Sequence, residues 1–173
     1  IDGKTVNSLS KISQHLPTIV IDNQVFNLVD GSARVRRKFI NKGLFYHNLE
    51  FNELWLTYSK ILQQRNSLLK KRPIDFTFLS ILDKQLEVLV IKIDNLSQQY
   101  VEDIYPIFKD ILNIFLDTTD LRVEYLSGWQ ESYSRKKSFS EVLLANREQD
   151  IIRGFTCLGP HRSDMKMLID DHN

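Results

Sequence analysis

Two stretches of the chain hold residue types that can do chemistry. The first is Gly159-Pro160-His161-Arg162-Ser163-Asp164, which sets an imidazole, a hydroxyl and a carboxylate within four positions. These are the groups of a nucleophilic triad, yet a base must lie within hydrogen-bond reach of its nucleophile and be oriented by a third group. Residues this close on a turn rarely aim at one reacting atom, so a hydrolase built on His161 and Asp164 is the least favoured reading. A capped turn between strands, with Ser163 or Asp164 bonding nearby backbone, is the commoner use of such a sequence. A third use is a face that His161 and Arg162 offer to a neighbouring domain. The second stretch is Arg34-Val35-Arg36-Arg37-Lys38, with Lys42 one turn on: five positive charges in nine residues with no acidic neighbour. On a helix, Arg34, Arg37 and Lys38 lie at i, i+3 and i+4 and can straddle a phosphate backbone, with Lys42 beside them. The structural alternative is that Arg36 and Arg37 bond carboxylates or carbonyls of a neighbouring lobe.

Other chemistry is poorly supported. The four histidines and single Cys157 lack zinc-like spacing, and the six glycines lie apart, with none in a Gly-x-x-x-x-Gly-Lys pattern. No catalytic, metal-binding or cofactor-binding residue is therefore expected here. One cysteine cannot form an intrachain disulfide, which fits a reducing cytosol. The aliphatic run Val88-Leu89-Val90-Ile91 is far shorter than the roughly 20 residues of a membrane span, and no basic-then-apolar leader opens the chain.

Charge is segregated rather than large. The net charge is +1, but Gly31 to Arg72 holds ten basic residues against two acidic, and Pro73 to Leu126 holds four basic against ten acidic. A basic arm beside an acidic arm attracts, although rim ion pairs are individually weak. A length of 173 residues allows one sizeable core or a modest core with an arm.

The elements that would position these residues follow from periodicity. Asp2-Gly3 reads as a turn, Val6 to Leu16 as a short helix ended by Pro17, and Thr18 to Ile21 as a strand. Gln24 to Val29 reads as about one helical turn. Asp30-Gly31-Ser32 breaks the chain, and a helix is expected from about Ala33 to Asn41 with Gly43 as its stop. From about Leu49 to Lys71, Leu54, Tyr58, Ile61, Arg65 and Leu68 form a heptad seam with one arginine inside it, and Arg72-Pro73 ends the helix. Arg65 is expected to bond out of this helix into the body. Asp75 to Phe115 carries a second seam from Leu82 and Leu86 through Ile107, Ile111 and Ile114. Pro106 should kink or break it near Glu102 to Asp103. The two seams should face each other in an antiparallel hairpin. Leu121 to Leu126 alternates as a strand, Ser138-x-x-Glu141 is a capping box opening a helix to Arg153 with Gly154 as its stop, and Phe155 to Leu158 and Asp164 to Ile169 read as strands. The opening turn and the last strand both lack a visible partner, so the chain is expected to be the middle of a longer protein.

Three motifs in order give a family resemblance. Gly31 with Arg36-Arg37-x-Phe39-Ile40-Asn41, then Gln64-Arg65-Asn66-x-Leu68-Leu69-Lys70, then Gly159-Pro160-His161-Arg162-x-Asp164, resemble the bacterial RecF family of DNA replication and repair proteins. No one motif suffices; together, and with Ile1-Asp2-Gly3-Lys4 and Leu16-Pro17 before them, they are specific. Asn41, Ala33 and Asn23 depart from the pattern, and Asn41 in place of Asp removes a possible partner of Arg36 or Arg37. The resemblance implies an SMC-like, ABC-type ATPase whose Walker A loop precedes this stretch and whose signature motif and Walker B aspartate follow it. It implies ATP and Mg for the parent, a slow ATPase activity, and an ATP-dependent homodimer. DNA binding at single-strand to double-strand junctions, cytoplasmic action with RecR and RecO to place RecA recombinase, and a part in the SOS response are also implied.

The expected architecture is mainly α with a small β part: a head-proximal segment at 1–48, a helical arm hairpin at 49–116, and a returning strand-helix-hairpin segment at 117–173. Gly31, Arg36, Arg37, Gln64, Arg65, Asn66, Gly159, Pro160, His161, Arg162 and Asp164 are expected to be structural or interface residues. Arg34, Arg37, Lys38 and Lys42 are the candidates for DNA. The competing hypothesis is a coiled-coil interaction hairpin with no nucleic-acid role.

Overall fold

The computed structural model describes residues 27–115, 121–130 and 137–169, so the readings on the opening turn, the helix at 6–16 and the strand at 18–21 lie outside the described residues. The described elements are α1 (Asn27–Asp30), α2 (Ala33–His47), α3 (Phe51–Leu69), α4 (Phe76–Phe115), β1 (Leu121–Leu126), α5 (Phe139–Ala145), α6 (Arg147–Arg153), a 3-10 turn (Pro160–Arg162) and β2 (Asp164–Ile169). The class is mainly α with a small β part, as expected.

The long helices α3 and α4 pack on each other. Their tie is mainly apolar: Tyr58, Leu68 and Leu69 of α3 and Leu79, Leu82, Leu86, Val90 and Ile93 of α4 are buried. Phe51 and Leu54 extend the contact toward the start of α3. Helices of this length hold in water through such a buried face rather than through propensity. The face of α4 is wider than the predicted seam, because α2, α5 and β1 also pack on it. Val90, Ser97 and Val101 are buried where a strict heptad would bury Leu89, Leu96 and Tyr100. Past Val101 the seam runs into solvent: Ile107, Ile111 and Ile114 are exposed.

Several expectations are corrected. Gly43 does not stop α2, which runs on to His47. Its missing side chain makes room for Tyr100, whose hydroxyl would lie 1.9 Å from an added Cβ. Pro106 does not break α4, which is continuous from Phe76 to Phe115. The carbonyl it leaves without a donor belongs to Glu102, an exposed residue, so water can satisfy it. The helix from Ser138 to Arg153 divides at Asn146, whose amide donates to the Val142 carbonyl while its side chain reaches forward to Asp150. The capping box at Ser138 and Glu141 and the left-handed Gly154 stop form as expected.

Phe155 to Leu158 is not a strand. Its backbone donors go to side chains instead of a ladder: the Thr156 amide to Asn66 and the Cys157 amide to Asp150. The strand at Asp164 to Ile169, expected to lack a partner, pairs antiparallel with β1, Leu126 opposite Asp164 and Leu121 opposite Ile169.

Candidate functional site

The three motifs meet in one polar network around the 159–164 turn. On α2, the Arg36 guanidinium holds the Asp164 carboxylate with two parallel bonds, Nε to Oδ1 at 2.7 Å and Nη2 to Oδ2 at 3.0 Å. Its remaining nitrogen donates to the Gly31 carbonyl at 2.7 Å. This fork is the geometry that makes Arg rather than Lys the fitting residue. The bond to Asp164 raises the Arg36 pKa. Burial pushes the Asp164 carboxyl up, but Arg36 and the Met165 amide outweigh it and hold the pKa below the ordinary carboxylate range. Arg37 donates to the Ser163 carbonyl at 2.6 Å, and burial lowers its pKa. With Asn at position 41, Arg36 thus has its carboxylate from β2.

His161 is enclosed. Its Nε2 lies 3.0 Å from the Thr156 carbonyl and its Nδ1 2.6 Å from the Tyr58 hydroxyl. A carbonyl only accepts, so Nε2 carries the proton and Nδ1 accepts from Tyr58. Burial, with Arg162 and Arg37 nearby, lowers the imidazole pKa to about 4. Burial likewise raises the Tyr58 hydroxyl above its ordinary value. The Gly159 amide donates to the Gly128 carbonyl, tying the turn to the end of β1.

The middle motif supplies the deepest part. Arg65 is fully buried and donates to Asp83 of α4 at 2.7 Å, to Asp150 of α6 at 2.7 Å and to Thr156 at 2.8 Å. Asn66 accepts from both the amide and the hydroxyl of Thr156. Arg147 adds a second cation on Asp83 at 3.1 Å. Two cations and two carboxylates leave this buried set neutral. Removing one partner would strand the others, which commonly costs about 3–5 kcal/mol. Arg65 therefore bonds both across the hairpin to Asp83 and out of it into the body.

Sequence reasoning placed Arg65 but missed its companions Asp83, Asp150 and Thr156, and missed Tyr58 as the partner of His161. The available signal was polarity at apolar positions: Tyr58 lies in the first seam, and Asp83 lies next to Leu82 on the second.

These contacts divide the candidates. Arg36, Arg65, Asn66, His161 and Asp164 are committed to the network. Arg37 is half-buried and bonded. Arg34, Lys38 and Lys42 are exposed at i, i+4 and i+8 on α2 and make no ion pair or side-chain hydrogen bond among the described residues. Gln64 faces solvent, and Arg162 is exposed with its guanidinium over the Phe155 ring.

The network is not a catalytic centre for the hydrolase reading. Both His161 nitrogens are bonded, and Asp164 is held by Arg36. An open cleft of about 660 Å³ between α4 and β1, lined in part by Asp94, Gln98, Arg122 and Glu124, includes neither residue. Among the described residues, no group of three or more His, Cys, Asp or Glu is placed to hold a metal ion, and no helix is long and apolar enough to cross a membrane. Nor do these residues fit ATP. The positive-φ glycines 128 and 159 are closed over by the Arg162 backbone and the Tyr58 hydroxyl, and Gly154 serves as the stop of α6 beside the Lys70 stem. No nucleotide step is assigned to them.

No family model matches the chain. Curated relatives do. The chain is 31% identical over 173 residues to the DNA replication and repair protein RecF of Azotobacter vinelandii, covering 100% of this chain and 46% of that protein. It is 34% identical over 171 residues to RecF of Pseudoalteromonas translucida, covering 98% of this chain and 46% of the relative. The chain thus spans about half the length of the curated relatives it matches. A solved structure described as the recombination mediator protein RecF-ATPrS in the RecFOR pathway superposes with a TM-score of 0.84 at 22% identity, over 97% of this chain and 47% of that one. A second, of RecF-ATP, gives a TM-score of 0.80 at 22% identity, over 90% and 43%. The resemblance read from three motifs therefore holds along the whole chain.

Proposed function

We propose that the chain is a RecF-like segment that contributes a duplex-contacting helix and a braced helical arm to a DNA repair protein. The supporting observation is the division of labour on α2. Arg36 and Arg37 are anchored to β2 and the preceding turn, which fixes the helix. Arg34, Lys38 and Lys42 then form an exposed stripe with no partner among the described residues. A rigid helix carrying three uncommitted cations suits phosphate contact, which positions a protein on DNA without reading its sequence. Arg37 lends its charge from the edge of that stripe.

In this reading the segments 1–48, 49–116 and 117–173 are the head-proximal, arm and returning parts of a larger cytoplasmic protein. That protein binds ATP with Mg, hydrolyses it slowly and forms an ATP-dependent homodimer. It recognises DNA at single-strand to double-strand junctions and works with RecR and RecO to place RecA-type recombinase in recombinational repair and the SOS response. The ATP-binding parts lie outside this chain, which is inactive alone.

The test is gapped-DNA binding by the full-length protein with Arg34→Glu, Lys38→Glu and Lys42→Glu together. Affinity should fall, and the slope of log affinity against log salt should flatten by up to about 2.7, from roughly 0.9 per lost contact. Unchanged affinity with unchanged slope would remove DNA contact from α2 and favour the interaction-hairpin reading.

A further inference from the structure

Gln64 is the residue of the Gln64-Arg65-Asn66 motif that the buried network leaves unused. A step of one residue on a helix turns it about 100° from Arg65, out of the seam and into solvent. There it lines an open groove of about 440 Å³ along the outer side of the α3–α4 hairpin, with Lys60, Ser67 and Lys71 from the α3 side and Phe78 from the first turns of α4. Positions 60, 64 and 67 follow one another at i, i+4 and i+7 on α3, so they share a face, and Lys71, just past the Lys70 C-cap, lines the groove with them. Lys60, Gln64, Ser67 and Lys71 are all exposed and make no side-chain hydrogen bond or ion pair among the described residues. No acidic residue lines the groove. Asp75, nearby in sequence, is occupied in capping α4 through the Phe78 amide at 2.9 Å. Phe78 itself is 46% exposed, a large apolar ring left facing water in a groove that Lys60 and Lys71 also line.

We infer that this groove is a binding site for single-stranded nucleic acid, distinct from the α2 stripe: Lys60 and Lys71 take phosphates, Gln64 and Ser67 offer hydrogen bonds, and Phe78 stacks a base. Charge sets the sign of the occupant, because two cations in a groove lined by no carboxylate suit a polyanion. The ring selects among polyanions. Bases in a duplex are stacked on each other, and a duplex offers such a groove only phosphates. A single strand offers phosphates and free π-faces together, and a basic track with an aromatic platform is the usual way such strands are held. The inference rests on the nucleic-acid reading above but assigns the two strand states to different surfaces.

The experiment compares binding of a fluorescent oligo-dT and of a blunt duplex by the full-length protein across a salt series. Lys60→Glu with Lys71→Glu should weaken oligo-dT binding at least tenfold and flatten its salt slope by about 1.4, from roughly 0.7 per single-strand contact. Phe78→Leu, which keeps apolar bulk but removes the π-face, should weaken oligo-dT binding roughly tenfold with the slope unchanged. Duplex affinity and the melting temperature should not move in either variant. Unchanged oligo-dT affinity in both variants overturns the site. Equal competition by charge-matched polyglutamate assigns the groove to an acidic protein partner and overturns the nucleic-acid reading of it. Failure of the α2 variant shows separately, as an unchanged duplex affinity.

Discussion

At His161 both ring nitrogens are engaged, and this makes the residue a stability element with a definite pH signature. Protonating Nδ1 would displace the Tyr58 proton and bury a cation beside Arg162 and Arg37, with Asp150 the opposing charge. The folded pKa is about 4 against an unfolded 6.5. Between these values the unfolded chain binds more protons than the folded one, so stability rises with pH across the window. The contribution is complete above about pH 6.5 and is lost as pH falls toward 4, to a limit of about 3 kcal/mol. Asp164, whose pKa is depressed, adds acid sensitivity in the same direction at still lower pH. Urea unfolding of the parent chain from pH 7 to 4 should therefore show a falling midpoint. In His161→Phe that fall should be reduced over the same window, even though the variant is less stable at pH 7. An undiminished pH slope in the variant would mean that other groups carry it. The same enclosure explains why a His-Ser-Asp string that suggests chemistry in sequence does none in this turn.

Gly43 shows how an element can be read correctly in kind and wrongly in extent. Glycine after an apolar helical run is a stop signal, and the sequence offers no hint that Tyr100, 57 positions on, needs the space. Because α2 continues through it, alanine there gains about 1 kcal/mol of helix propensity. It also drives a methyl group into the Tyr100 ring. Packing should win: Gly43→Ala should lower stability in chemical denaturation. In a Tyr100→Ala background the same change should become stabilising by about 1 kcal/mol. The same sign in both backgrounds would show that the ring does not set the constraint. What was legible in the sequence was periodic or locally capped: the two long helices, the Ser138 and Glu141 box, the Gly154 stop and the alternation in β1. What was illegible depended on distant partners. Phe155 to Leu158 has strand-like composition, but its amides are claimed by Asn66 and Asp150. Arg36 finds its carboxylate 128 residues away. The site followed the same rule, since the motif residues were named from sequence while the contacts that commit or free each one came only from the fold.

At the scale of the molecule, α4 is the common wall on which the other packed elements rest, but only along part of its length. From Leu79 to Val101 it is covered by α3 and α5, with α2 and β1 also against it. The buried Arg65–Asp83 pair fastens that stretch to α6 as well. Beyond it Ile104, Tyr105 and Phe108 are still half-buried, with Tyr105 bonded to the Leu121 carbonyl, but Ile107, Ile111 and Ile114 lie without cover among the described residues, Ile107 60% and Ile114 76% exposed. Backbone hydrogen bonds alone protect weakly, because local opening is resisted mainly by the apolar contacts it would break. Amide exchange on the 173-residue chain should therefore be slowest across residues 79–101 and quicken by at least tenfold over 107–115, with the Pro106 neighbourhood as the transition. The gradient should survive charge reversal on α2, which removes no packing, and should flatten in Arg65→Ala, which loosens the covered stretch. Uniform protection along α4 would mean that the outer turns are buried by some contact the described residues do not make. The functional assignment would then shift from a nucleic-acid arm toward a helix that serves protein packing.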